Sequence, residues 1–362
     1  MTTRALAALL ALALFAAACG DSDADDASSE SASASASASS SASASSSASA
    51  SAPTEETEAT EAPPTTAAES AGTISVVDVI GEKEVPVGDQ DIYALDEFMG
   101  VLLLTLGVEP ATTAAFFQDT LLQPVLDANS TLVEAGSVEA VAATQPELIL
   151  GIGHPNLIEL HDEYTGIAPV VLPDFTATWQ DQTRLIAQVV DKEAEGEAAI
   201  AAVEQRVAEL AAEVEAAGLA GQEISIIQNF GGDYFAYGPT TISGSIVADL
   251  GFVRSEAQST ADNFGFIPIA AELVPGETDV PVVVGVLADM GDFFVSAFDD
   301  GLILTDDKIT GDVGGAWATN TALGAWIVLD DLEALLFDRG DVADAGSAIE
   351  RFDDLIATIE AS

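Results

Sequence analysis

From Asp21 to about Gly72 the chain contains no aromatic and no large aliphatic residue. It is almost wholly Ser, Ala, Thr, Glu, Asp and Pro, with a Ser-Ala alternation from Ser31 to Ala52 and a Pro-rich stretch from Pro53 to Pro64. Such a segment cannot bury enough apolar surface to offset the entropy of ordering a chain, so it reads as a disordered tether. Its ~50 residues, treated as a flexible coil, have a typical reach of roughly 40 Å. Any fold must therefore come from the roughly 290 residues that follow, enough for one large domain or two lobes.

Ahead of the tether, Arg4 supplies one positive charge before an unbroken apolar run from Ala5 to Ala18. At about 14 residues the run is shorter than the roughly 20 needed to span a bilayer, and it reads as a signal h-region. The residues that follow, Ala16-Ala17-Ala18-Cys19-Gly20, resemble the lipobox of bacterial lipoproteins, with Ala16 where leucine is more usual. Cys19 is the sole cysteine, so an internal disulfide is excluded; the plain alternative is an incidental thiol. The resemblance implies cleavage before Cys19 and lipidation of its thiol. Acyl chains at about 0.8 kcal/mol per buried methylene would then hold the protein to the extracytoplasmic face of the cell membrane. No later run is long and apolar enough to span a membrane, Gly100 to Val108 included.

Charge excludes one class of partner. With 9 basic against 61 acidic residues, and a formal net charge of -52, nucleic acid and anionic lipid are poor partners. Most of the carboxylates are read as a solvated surface without specific function.

Beyond the tether, apolar runs alternate with helical stretches. Ile74–Ile80, Ile92–Leu95, Glu147–Ile152 and Ala168–Leu172 read as strands, and Glu97–Leu106 as a helix stopped by Gly107. A second set follows: strands Glu223–Gln228, Tyr234–Tyr237 and Pro281–Leu287, a helix Ile242–Leu250 stopped by Gly251, a helix near Asp289–Phe298, and an amphipathic helix Ala348–Ile359. Between the sets, Ile200, Val203, Val207, Leu210 and Val214 lie 3, 4, 3 and 4 residues apart, one stripe on a helix running from Ala194 to Ala217. At 1.5 Å per residue it spans roughly 35 Å, enough to join two lobes. A coiled-coil partner is the rival reading of a stripe this short. The expected fold is two α/β lobes with largely parallel sheets, joined by a single long helix, with a ligand cleft between the lobes. The boundaries are a signal peptide at 1–18, lipidated cysteine and tether at 19–72, an N-terminal lobe at 73–178, a linking helical segment at 179–220 and a C-terminal lobe at 221–362.

The order and spacing of several segments resemble the helical-backbone class of ABC-transporter substrate-binding proteins, which serve iron-siderophore complexes, haem and vitamin B12. The resemblance covers nearly everything after residue 74. It rests on Tyr93-Ala94-Leu95-Asp96 followed by Leu106-Gly107-Val108-Glu109-Pro110, and on Gly136 to Ala142 before Gln145 to Gly151. It continues through Tyr164 ahead of Ile167-Ala168-Pro169-Val170, Trp179, the long helix, and Tyr237-Gly238 before Ile246 to Phe252. It implies that Glu139 and Glu272 dock on arginines of the permease subunits; the plain alternative is a carboxylate favouring a helix N-terminus by about 0.3–1 kcal/mol. It implies no cofactor, since iron would arrive only within a bound chelate. The pattern departs from the family at Asp306 to Asp312, where relatives carry an apolar, glycine-containing stretch with an Arg-Val-Tyr-like end.

Enzyme chemistry finds little support: there is no Gly-x-Ser-x-Gly elbow and no phosphate loop, and only two histidines, His154 and His161. No cysteine or third histidine completes a metal site around them. His154 follows a strand at the end where open α/β sheets bind ligands, so it is a candidate cleft residue. His161 suits a surface or helix-capping role. Trp179, Tyr237 and Trp317 are the aromatic candidates for the cleft, because each can offer a flat apolar face to a bulky chelate; core packing is the alternative for each. Cations are scarce: after the tether there are only Lys83, Arg184, Lys192, Arg206, Arg254, Lys308, Arg339 and Arg351. A strongly anionic chelate would need several of them clustered, so the expected ligand is a neutral or cationic ferric siderophore of hydroxamate type. The alternatives are haem, cobalamin or a metal ion as ligand, or a surface lipoprotein for adhesion or sensing without transport.

Overall fold

The computed structural model describes residues 72–88, 90–115, 121–230, 233–260, 265–277, 280–286, 302–304, 317–343 and 346–362, all within one compact unit that begins at Ser70. Cys19, the tether, the helix expected near Asp289–Phe298, and the departure at Asp306–Asp312 lie outside these residues.

The described chain opens with an antiparallel hairpin, β1 (Thr73–Val77) and β2 (Glu82–Pro86). The run expected as one strand to Ile80 stops at Val77 because Asp78 closes a turn. One carboxylate oxygen of Asp78 accepts from the amides of Ile80 and Gly81 at 2.9 and 3.2 Å, while the other accepts from Leu172 N at 2.9 Å and pairs with Lys83 Nζ at 2.8 Å. Gly81, at a φ of 137°, takes the backbone conformation that L side chains avoid. The hairpin is thereby pinned to the first sheet.

That sheet is built from β3 (Ile92–Ala94), α1 (Glu97–Thr105), β4 (Thr112–Ala115), α2 (Gln123–Asn129), β5 (Thr131–Glu134), α3 (Val138–Thr144), β6 (Leu148–Leu150), α4 (Pro155–Glu159), α5 (His161–Thr165) and β7 (Val170–Val171). Its five strands run parallel in the order β5-β4-β3-β6-β7. Every residue of β3, β6 and β7 is buried, as continuous apolar runs in a sheet covered on both faces require.

Two helices then cross to the second sheet, α6 (Trp179–Val189) and the 24-residue α7 (Glu193–Ala216). Alanine and glutamate favour the helix throughout α7, Glu193 and Glu195 complement its N-terminus, and Gly218 at φ 75° lies just beyond its end. Gly196 lets α6 approach: a Cβ there would stand 2.8 Å from that of Ala187.

The second sheet comprises β8 (Ile224–Phe230), β9 (Asp233–Tyr237), α8 (Ile242–Asp249), β10 (Phe266–Ile269), α9 (Val274–Glu277), β11 (Val282–Val286) and β12 (Leu302–Leu304), followed by α10 (Ala322–Phe337) and α11 (Ala348–Ala361). Its order is β10-β9-β8-β11-β12; β8, β11 and β12 are parallel, while β9 and β10 add antiparallel neighbours at one edge. Pro268, which has no amide to donate, sits on the edge strand β10.

The helical stripe is buried within the molecule. Ile200, Val203, Leu210 and Val214 are 0–2% exposed, and Val207 packs beside them, in one apolar cluster with α1, α2, α8, α10 and α11. Fully burying four aliphatic side chains is worth roughly 6–12 kcal/mol before entropy is counted. The C-terminal helices fold back: α11 packs on α7 and α2, and α10 touches α1. The connection is locked by charge as well. Arg206 of α7 reaches Asp330 and Glu333 of α10, stacks over the Trp326 ring at 4.4 Å, and shares Asp330 with Arg351 of α11.

Candidate functional site

The C-terminal ends of β3, β6 and β7 face the segment that leads into α10. Where they meet there is a narrow crevice lined by Phe98, Met99 and Leu102 of α1, Ile152 after β6, Phe175 after β7, Gln182 of α6, and Asn320 and Thr321 ahead of α10. None of these eight side chains is charged, and most are apolar. The free volume is about 10 Å3, roughly one water's worth. An organic chelate enters only if the walls separate.

Each wall hangs on a buried carboxylate. Asp96, 1% exposed, is the N-cap of α1: Oδ1 accepts from Met99 N and Oδ2 from Ile152 N, both at 2.8 Å. Burial pushes its pKa up to about 6, even though the amides of Met99, Ile152 and Phe98 oppose the shift. On the other side Asp331 of α10 is fully buried. Its Oδ2 accepts from Trp317 Nε1 and its Oδ1 from Ala343 N, again at 2.7 Å each. Here too burial raises the pKa, to about 7, against those two hydrogen bonds and the nearby Arg351.

The aromatic residues expected in the cleft are elsewhere. Trp179, Tyr237 and Trp317 are 5%, 1% and 0% exposed and belong to the main apolar cluster. This corrects the sequence expectation: flat faces of that size are consumed in filling the junction of helices and sheets. Tyr237 packs edge-on against Phe266 at 5.1 Å, its hydroxyl shifted upward by burial, and Trp317 spends its indole N–H on Asp331. His154 does stand beside the crevice. It caps α4 through Nδ1, which accepts from Asn156 N at 3.4 Å, its ring meets Phe175 edge-on at 6.1 Å, and burial holds its pKa below the ordinary value. His161, at the start of α5, lies apart from it, with Nε2 3.3 Å from Lys83 Nζ.

Glu139 and Glu272 are both exposed, Glu139 in the first turn of α3 and Glu272 in the turn before α9. The Ser137 hydroxyl, followed by Glu139's own amide, holds the Glu139 carboxyl below its usual range.

The described cations are engaged away from the crevice. Lys83 pairs with Asp78, Arg184 with Glu197, Lys192 with Glu195, Arg206 and Arg351 with Asp330, and Arg339 with Glu213. Arg254 is buried, donating from Nη2 to Tyr237 O and Gln258 Oε1. Desolvation there brings its pKa down to about 10. Lys308 lies outside the described residues.

Sequence reasoning missed Asp96, Phe98, Met99, Phe175, Gln182, Asn320, Thr321 and Asp331. Asp96 had a readable signal, an acidic N-cap between a strand and an apolar helix. Thr321 had one as well, a hydroxyl before an apolar run, and it caps α10 by accepting from Gly324 N at 3.1 Å.

Both raised carboxyls bind protons more tightly in the folded state than at the ordinary 3.8. Their contribution to stability is full below about pH 4 and is lost as pH rises through about 6 for Asp96 and about 7 for Asp331. The urea midpoint of the protein is expected to fall between about pH 4 and pH 7 through these two groups, and Asp331→Asn is expected to flatten that fall by an amount on the order of a few kcal/mol. Equal slopes in the two proteins would contradict the assignment.

A family model described as periplasmic binding protein matches residues 117–286. A probable siderophore-binding lipoprotein, YfiY of Bacillus subtilis (strain 168), is 26% identical over 219 residues, covering 57% of this chain and 66% of that protein, just under two thirds of its length. Among solved structures, FhuD of S. pseudintermedius superposes with a TM-score of 0.60 at 17% identity, covering 74% of this chain and 98% of that one. Staphylococcus aureus SirA complexed with staphyloferrin B gives 0.57 at 17% identity, with 73% and 98% covered. FhuD2 of Staphylococcus aureus with bound ferrioxamine B gives 0.55 at 18% identity, with 68% and 98% covered. Residues 117–286 therefore resemble the periplasmic binding protein family, and the two sheets with the long helix between them have the two-lobed α/β fold of these solved binding proteins.

Proposed function

We propose that this chain is a lipoprotein of the extracytoplasmic membrane face, anchored through Cys19, that captures a ferric siderophore between its lobes and delivers it unchanged to the permease of an ABC importer. The observation that carries the ligand class is the crevice itself: eight uncharged lining residues, with every described cation committed elsewhere. Burying an unpaired charge costs several kcal/mol, and among the described residues an anionic chelate meets no counter-charge there. The acidic surface slows its approach as well. A neutral or cationic complex of hydroxamate type suits the site, with Phe98, Phe175 and Met99 offering apolar contact. Relatives whose structures hold different siderophores share the fold, so the fold leaves the choice to the lining. The match to a siderophore-binding lipoprotein supports the same reading.

Handover requires surfaces outside the crevice, and Glu139 and Glu272 are exposed carboxylates suited to arginines of a permease.

Differential scanning fluorimetry of the domain against ferric hydroxamates, ferric tris-catecholate, ferric citrate, haem and cobalamin tests the ligand class. Stabilisation by the hydroxamates is expected; tight binding of the catecholate or citrate complex with no response to hydroxamates would overturn it. The double variant Glu139→Ala/Glu272→Ala is expected to abolish uptake while ligand affinity stays nearly intact, since losing one partner of an interfacial charge pair costs about 2–5 kcal/mol. Normal uptake by that variant would remove both residues from docking.

A further inference from the structure

The two carboxylates of the crevice walls do a job that apolar residues there would not. A carboxylate presents two acceptor oxygens at a fixed spacing, so it can hold two donors from separate segments in register. Asp96 ties the first turn of α1 to the chain leaving β6, and the two amides it accepts from belong to Met99 and Ile152, both lining residues. The close approach depends on Gly151, where a Cβ would stand 3.2 Å from Asp96 Oδ2 and 2.9 Å from Leu95 Cβ. Asp331 acts on the opposite wall. It holds Trp317 at one end of the segment 317–321, whose other end is fastened when Thr321 caps α10, and Asn320 and Thr321 are the lining residues between. Its second oxygen, bonded to Ala343 N, fastens the chain beyond α10 to the same point.

We propose that Asp96 and Asp331 are positioning residues of the ligand crevice, one for each wall, which set how closely the walls approach a ferric hydroxamate held between them. The inference rests on the ligand reading given above. Asparagine at either position retains one acceptor oxygen and turns an N–H2 group toward a buried donor, so one of the two segments is released.

The test uses the mature chain carrying Asp96→Asn, Asp331→Asn or, as a control, Leu355→Ala, a fully buried residue of α11 outside the crevice lining. Amide hydrogen exchange is expected to quicken by about tenfold or more at residues 97–102 and 150–154 in Asp96→Asn, and at 317–324 in Asp331→Asn, with smaller changes elsewhere. The indole N–H resonance of Trp317, assigned through Trp317→Phe, is expected to move in Asp331→Asn alone. Ferrioxamine B should bind both variants about tenfold more weakly, chiefly through faster dissociation, while Leu355→Ala changes its Kd less than about twofold. Gly151→Ala, which crowds the Asp96 carboxylate without removing it, should reproduce the Asp96→Asn pattern and serves if that variant fails to fold. Wild-type exchange at the walls, or loosening spread evenly as in Leu355→Ala, would overturn the proposal. Absence of ferrioxamine B binding by the unmodified protein would instead defeat the hydroxamate reading, and the exchange pattern would still decide the role of the two carboxylates.

Discussion

The burial of one stripe of α7 is the constraint on which the architecture depends. Ile200, Val203, Leu210 and Val214 are the side chains against which α1 and α2 from one side and α8, α10 and α11 from the other pack into a single cluster. A helix is stiff along its axis, so joining two sheets by 24 helical residues fixes their separation more firmly than strands or loops of that length would. Arg206 reinforces the arrangement from the polar flank of the same helix, through Asp330, Glu333 and the face of Trp326. The crevice is a consequence: the sheet ends meet the segment before α10 at a distance set by the strut, and small shifts at Asp96 or Asp331 move the walls.

Charge has a double role. The chain is strongly acidic, yet its few described cations serve internal ion pairs or, for Arg254, internal hydrogen bonds, and the described crevice lining does without them. On the proposed reading, selectivity against anionic ligands needs no dedicated repulsive residue among the described lining residues. The low number of arginines and the dominance of carboxylates on the surface act together. The same scarcity makes each ion pair structurally specific, as when Arg206 and Arg351, from two different helices, converge on Asp330.

The long helix was legible in the sequence because nothing interrupts its 3.6-residue period, and strands β3, β6 and β8 were legible as short apolar runs bounded by polar residues. Helix α10 was not, because eight successive residues from Ala322 to Leu329 are buried and an all-round apolar helix has no periodicity to read. Strand β4 escaped for the opposite reason: Thr112, Thr113, Ala114 and Ala115 are all buried, but small residues carry almost no strand signal. Of the residues expected at the cleft, His154 caps α4 beside the crevice, while the aromatics lie in the apolar core. Trp317 follows the reasoning that large rings near a lobe junction face the ligand, but its indole found a partner 14 residues away in a helix the sequence did not announce. Asp96 could be read as a helix cap; that it also holds Ile152 is a tertiary fact spanning 56 residues.

The central claim, that a crevice whose described lining is uncharged selects a ferric complex without net negative charge, is tested most directly by the salt dependence of binding. With no charged group among the described residues that line the site, the Kd for a neutral ferric trihydroxamate should change less than about twofold as ionic strength rises from about 0.05 to 0.5 M, and that for a cationic one should weaken as the acidic surface is screened. Tight binding confined to an anionic chelate, weakening steeply with added salt, would place counter-charges at the site and contradict the account.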